Sequence, residues 1–230
     1  MPDAFDAILL VSFGGPEGPD DVWPFLERVA AGRGIPPERL AEVADRYHKV
    51  GGVSPLNRRI RELVGNLADE LARRGVDLPV YWGNRNATPL LADTLAGMAD
   101  AGHRRALAWS ASPYSSYSSC RQYGEDLEAA RETTGVTAPR VKWIRRHHDH
   151  PGLIKPAADR LSEALDRLPT NRRQDAVLAF SAHSIPTTMA TGCRYEAEVT
   201  EVARLVAERV DPAGNHRREV VWQSRSGPPG

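Results

Sequence analysis

The residue types with most chemistry in this 230-residue chain are a histidine closing an apolar run, a histidine cluster and a hydroxyl-rich stretch. His183 stands near the end of D-A-V-L-A-F-S-A-H-S-I-P, residues 175–186. Near neutral pH an imidazole accepts a proton or binds a metal. At a strand end it serves equally as a cap that hydrogen-bonds a neighbour. H-H-D-H, residues 147–150, offers imidazoles for Zn²⁺ or Ni²⁺. Consecutive residues rarely point the same way, however, and no Cys or His partner stands at a recognised spacing. The stretch P-Y-S-S-Y-S-S-C-R-Q-Y, residues 113–123, carries hydroxyls suited to a carboxylate or phosphate, or to helix capping and turns. G-G-P-E-G-P, residues 14–19, lets the backbone turn tightly and approach a ligand, but is not the G-x-G-x-x-G dinucleotide fingerprint. A flavodoxin-like phosphate or nucleotide binder and a plain strand-to-helix turn both remain open there. Cys120 and Cys193, the two cysteines, make no disulfide framework.

Such groups need elements to place them. Val177, Leu178 and Phe180 are apolar and β-prone, which predicts a strand buried on both faces in a parallel sheet. Pro186 cannot continue a central strand, so His183 falls at the carboxyl edge, where open α/β sheets bind ligands. Further strands are expected over 7–13, 78–83, 104–112, 140–145 and 219–223. Helices are expected between them. Asp20 and Asp21 would cap the first, which runs through Val22 to Val29. A second holds Leu40, Val43, Ala44 and Tyr47. Ser54 and Pro55 would open a third, with Ile60, Leu63, Val64, Leu67 and Leu71 on its inner face. Thr88 and Pro89 would start a fourth. Others span 153–168 and 195–210, where the early Glu196 and Glu198 suit the helix dipole. T-T-M-A-T-G-C, residues 187–193, reads as a loop. This alternation implies α/β architecture with parallel sheets. A boundary near His150–Pro151 divides it into domains 1–150 and 151–230.

Composition excludes several classes. The chain has 30 basic and 30 acidic residues and a formal net charge of zero, so no global basic surface recommends nucleic acid. No signal peptide and no bilayer-length apolar run is read, which leads to the expectation of a cytoplasmic protein with at most a peripheral membrane contact.

Six stretches in order resemble the ferrochelatases of haem biosynthesis, in the actinobacterial form that acts on coproporphyrin: L-L-V-S-F-G-G-P-E-G-P, R-Y-H-K-V-G-G-V-S-P-L-N, Y-W-G-N-R-N-A-T-P, Y-S-S-Y-S-S-C-R-Q-Y, F-S-A-H-S-I-P and W-Q-S-R-S-G-P-P. The resemblance implies two similar three-layer domains with Rossmann- or flavodoxin-like topology and a porphyrin between them. It implies insertion of ferrous iron into a porphyrin, coproporphyrin III giving coproheme, by a monomeric lyase. No cofactor is required, since porphyrin and Fe²⁺ are both substrates.

By the same resemblance His183 is the catalytic histidine, a proton acceptor or an iron ligand. Phe13, where some relatives have tyrosine, is a porphyrin wall, because a phenyl ring cannot ligate iron. Ser54, Tyr123, Arg33 and Arg46 are candidates for the propionates. Cys120 matches one ligand of a [2Fe–2S] cluster, which needs four thiolates and is expected only in a longer form of the protein. Ala87 stands where relatives carry an aromatic; the loss either widens the cleft or, as expected, is neutral surface variation. The family's last third, with the acidic partner of the histidine, is expected to be missing. The second domain is then incomplete, and Glu196 and Glu198 are poor substitutes for that partner. The alternative is a non-catalytic porphyrin-binding fragment.

Overall fold

The computed structural model describes residues 4–32, 34–116 and 121–224. They divide into two compact units, Met1–Ser112 with Tyr123–Ile144, and Pro113–Gln122 with Arg145–Gly230. Each unit is α/β, with a parallel sheet flanked by helices.

The first unit is built on β1 (Ala7–Ser12), β2 (Val80–Asn84), β3 (Arg105–Ser110) and β4 (Arg140–Trp143), ordered β2-β1-β3-β4 and parallel throughout. The apolar run in β1 is continuous because both of its faces are covered: Ala7, Leu9, Leu10 and Val11 are all fully buried. Leu9 pairs with Tyr81 on one side and Ala108 on the other. Helices α1 (Val22–Ala30), α2 (Pro37–Lys49), α3 (Leu56–Arg73), α4 (Leu91–Asp100) and α5 (Tyr123–Thr134) accompany this sheet. Leu91, Leu95, Met98, Tyr123 and Leu127 pack with Leu9 and Val11 in one core cluster. Truncating a buried leucine of this kind to alanine costs about 2–5 kcal/mol.

The second unit pairs β5 (Leu178–His183) with β6 (Arg218–Gln223), again parallel. Its helices are α6 (Pro151–Asp166), α7 (Thr170–Arg173), α8 (Thr187–Ala190) and α9 (Tyr195–Val210). Ile154, Ala158 and Val206 make its core, with Phe180, Leu161 and Val202 packed against them.

Four local expectations are corrected. β5 is not buried on both faces: Leu178, Phe180 and Ala182 turn inward, while Ala179, Ser181 and His183 are exposed. Helices α6 and α9 cover one side of a sheet that has two strands among the described residues, so period-two alternation replaces the double-faced pattern. Asp21 does not cap α1 through its side chain; its Oδ2 accepts the Glu17 N–H at 3.0 Å and braces the preceding loop. Leu91, not Thr88 or Pro89, begins α4, because the Thr88 carbonyl is used by Asn57 and Asn84. Residues 187–193 are not all loop, since Thr187–Ala190 form the short helix α8.

Candidate active site

His183 is the last residue of β5 and pairs with Gln223 on β6. Its imidazole is exposed, and Nδ1 lies 2.7 Å from the Ser184 carbonyl oxygen. A carbonyl can only accept, so the proton sits on Nδ1 and Nε2 presents its lone pair. That is the form able to take a proton or bind a cation. The strand end is held by Ser184, whose N–H donates to Gln223 O at 2.8 Å and whose hydroxyl donates to Ser224 O at 2.5 Å. Tyr195, the first residue of α9, donates its hydroxyl to the His183 carbonyl at 3.0 Å. Burial pushes the Tyr195 phenol up, with Cys193 adding to the effect, so the donor keeps its proton. A cavity of about 220 Å³ lies beside these groups, lined among others by Ser184, Ile185, Thr187, Tyr195 and Trp222.

One turn along α9 from Tyr195 lies a buried acid that sequence reasoning set aside. Glu198 is 3% exposed, where an acidic residue placed for the helix dipole alone would stay in water. Ser115 donates to it twice, from N–H to Oε2 at 2.5 Å and from Oγ to Oε1 at 2.7 Å. His148 Nδ1 stands 3.9 Å from the same Oε2. Tyr114 meets Tyr195 edge-to-face at 5.8 Å, and Tyr195 in turn lies against Trp222 at 5.9 Å. Burial, then Tyr195 and Glu198, push the Tyr114 phenol up. Nothing in the local sequence marks Glu198, because its partner is more than eighty residues away.

The histidine cluster is parted among separate tasks. His150 accepts the Gly152 N–H at 3.0 Å and caps α6. Asp149 pairs with Arg145 at 2.8 Å. His148 turns toward Glu198. Burial first, and then Arg146 and its other charged neighbours, push the His147 imidazole down. Among the described residues no three His, Cys, Asp or Glu side chains gather as a metal site.

In the first unit Phe13 follows β1 and packs edge-on against Phe25 at 6.0 Å, which packs likewise on Tyr47 at 5.8 Å. Its carbonyl accepts both the backbone and the side-chain N–H of Asn86, at 3.0 and 3.1 Å. Ser54 lies beside the glycine turn: its N–H donates to Pro16 O at 2.8 Å and its Oγ accepts the Leu56 N–H at 3.3 Å, one residue into α3. A Cβ on Gly15 would stand 2.6 Å from that Oγ, so only glycine allows the approach. Tyr123 is buried in the core at the start of α5, and Arg46 is exposed in the last turn of α2. Arg33 and Cys120 lie outside the described residues.

The turn is fixed by buried amides that sequence reading missed. Asn57 takes the Gly15 N–H at 3.2 Å and donates to Gly15 O at 3.1 Å. Asn84 accepts from Trp82 Nε1 at 2.9 Å and from the Ser12 hydroxyl, and donates to Asn57 Oδ1 and Thr88 O. The Gly15 and Glu17 amides of this loop are thus spent on side chains. Ala87 is not surface variation. It is 8% exposed and packs with Val22, Phe25, Leu26 and Ala44, because the loop after β2 folds in under the Phe13 turn.

The two cysteines of the chain cannot supply the four thiolates of an iron–sulfur cluster. No helix among the described residues is long and apolar enough to cross a membrane.

The family model described as Ferrochelatase matches residues 5–229. The coproporphyrin III ferrochelatase of Streptomyces coelicolor is 47% identical over 249 residues, spanning all of this chain and 66% of that protein. The protein of the same name from Mycolicibacterium smegmatis is 48% identical over 98% of this chain and 66% of its own length. A protein named simply ferrochelatase, from Rhodopirellula baltica, is also 48% identical, over 98% of this chain and 63% of its own. The chain thus spans slightly less than two thirds of the length of these curated relatives. A match that runs through both units, from the strand leading to Phe13 to the strand paired with His183, makes this chain a member of the ferrochelatase family.

Proposed function

We propose that this chain belongs to an enzyme that inserts ferrous iron into a porphyrin, coproporphyrin III giving coproheme, in haem biosynthesis. The observation that carries the reading is His183, exposed at the carboxyl end of β5 with Nδ1 engaged by the Ser184 carbonyl and Nε2 left with its lone pair. Metal insertion replaces the inner pyrrole protons with Fe²⁺, so a base must accept protons and an N or O ligand must help strip water from the incoming ion. Nε2 is suited to either step. Phe13, with Phe25 behind it, supplies an apolar wall for the ring. Ser54, Arg33 and Arg46 are assigned to the propionates, and an arginine suits a carboxylate through a bidentate pair, whereas Tyr123 is packed in the core and is not retained for that role. The names of the Streptomyces and Mycolicibacterium relatives favour coproporphyrin, although a relative of equal identity bears the plainer name. A cytoplasmic monomer that touches membranes at most peripherally completes the proposal. A cluster built on Cys120 is assigned only to a longer form of the protein.

A second reading is a fragment that binds porphyrin without turnover. It is supported by the open face of the sheet that β5 and β6 form among the described residues.

A visible-absorbance titration with coproporphyrin III, followed by anaerobic Fe²⁺, tests both. Insertion that disappears in His183→Ala supports the enzyme. Binding without insertion supports the fragment. A folded chain that binds no porphyrin overturns both.

A further inference from the structure

His183 is exposed, so packing does not set the direction of its imidazole. Its orientation depends on the backbone around it and on the Nδ1–H bond to Ser184 O. Beside the pairing with β6 and the two bonds of Ser184, that backbone is restrained by the Tyr195 hydroxyl on the His183 carbonyl. Tyr195 is itself held on two sides, by Tyr114 with ring planes at 90° and by Trp222 at 44°. Tyr114 is fixed in turn by its neighbour Ser115, which occupies both oxygens of the buried Glu198. Glu198 lies one helical turn beyond Tyr195 on α9, so the chain of contacts closes on the helix where it began.

We propose that Tyr195 is a positioning residue for His183, held in place by the clasp of Ser115 on Glu198 and by the Tyr114 ring. The assignment rests on the catalytic role proposed for His183, but it concerns how that side chain is aimed and not what it does. Tyr195 donates to a backbone carbonyl and touches no reacting group. Loss of its hydroxyl removes the bond to the His183 carbonyl while Ser184 still holds the strand to β6, and the Nδ1–H bond to Ser184 loosens. The imidazole then drifts toward the Nε2–H tautomer, which withdraws the lone pair from Nε2.

Tyr195→Phe keeps both ring contacts and deletes only the hydroxyl. Ser115→Ala deletes one of the two donors to Glu198 and leaves the backbone N–H. Both variants are compared with the parent chain by circular dichroism, by long-range ¹H–¹⁵N spectra of the imidazoles at about pH 8.5, where an ordinary histidine is neutral, and by steady-state iron insertion. The expected result is unchanged folding with a His183 signal moved from the Nδ1–H toward the Nε2–H pattern, fully in Tyr195→Phe and partly in Ser115→Ala. Turnover should fall roughly tenfold with little change in the porphyrin KM, as for a misplaced catalytic group. An unchanged His183 signal in folded Tyr195→Phe overturns the proposal. A parent chain that inserts no iron removes the proposed function, while the imidazole spectrum still decides the positioning role.

Discussion

Both carboxylate oxygens of Glu198 are occupied by one residue, Ser115, through its backbone N–H and its hydroxyl. A glutamine has one acceptor where the glutamate has two, so in Glu198→Gln the Ser115 hydroxyl must turn from donor to acceptor and both bonds lose the charge that strengthens them. The expected cost is about 2 kcal/mol, the scale of a hydrogen bond to a charged group lost in a buried setting. A lower urea midpoint with an unchanged slope checks it. A midpoint equal to the parent's would show that the clasp contributes nothing to the fold.

Ala87 sits beneath the Phe13 turn, and a Cβ on Gly14 would already meet its Cβ at 2.9 Å. Ala87→Phe therefore overfills the Val22–Phe25–Leu26 cluster and should destabilise by about 1–3 kcal/mol. A fall in thermal midpoint, with a shift in the aromatic near-ultraviolet signal, would be the readout.

Asn84 joins the ends of β1 and β2 through Ser12, Trp82, Asn57 and Thr88. Asn84→Ala leaves several buried partners unpaired, and a loss of about 3 kcal/mol is expected. Asn86→Ala is a useful contrast: it deletes a single side-chain donor to Phe13 O and should cost about 1 kcal/mol. Equal effects in the two variants would contradict a network centred on Asn84.

Asp211, at the end of α9, accepts the His216 N–H at 2.7 Å, and this bond leads the interactions that hold its carboxyl down to about 2. A depressed carboxylate stabilises the fold at pH values above its unfolded pKa of about 4. That contribution is lost as pH falls through about 2. Acid titration of the second unit should therefore show a stability loss between about pH 4 and pH 2 that is absent in Asp211→Asn. A variant whose acid limb matches the parent's would refute the assignment.

Much of the architecture was legible in the chain itself. The unbroken apolar run of β1 announces a strand covered on both faces, and its core residues are fully buried. The spacing of Val199, Val202, Ala203 and Val206 announces α9, where Val199, Ala203 and Val206 are buried and Val202 is partly so. Such periodicities are local, because they report the one face or stripe that an element must remove from water. The position of His183 at a strand end was legible for the same reason: small polar residues and a proline follow an apolar run.

What the sequence could not disclose is everything that depends on a distant partner. Val177 and Phe180 suggest a doubly buried strand, yet whether a face is covered depends on what packs over it, and in β5 one side stays open. Ala87 looks like a tolerant loop residue until the loop is seen folded under Phe13. Glu198 fits an early-helix acid by local rule, and only tertiary structure brings Ser115 onto it. The sequence by itself determined the order of elements, the parallel α/β class and the strand-end histidine, since backbone propensity and apolar period are written residue by residue. Only the tertiary structure decided which nitrogen of His183 is free, which acid of α9 is buried and which amides lock the Phe13 turn. Those are properties of pairs of groups, and the chain must fold before the pairs exist.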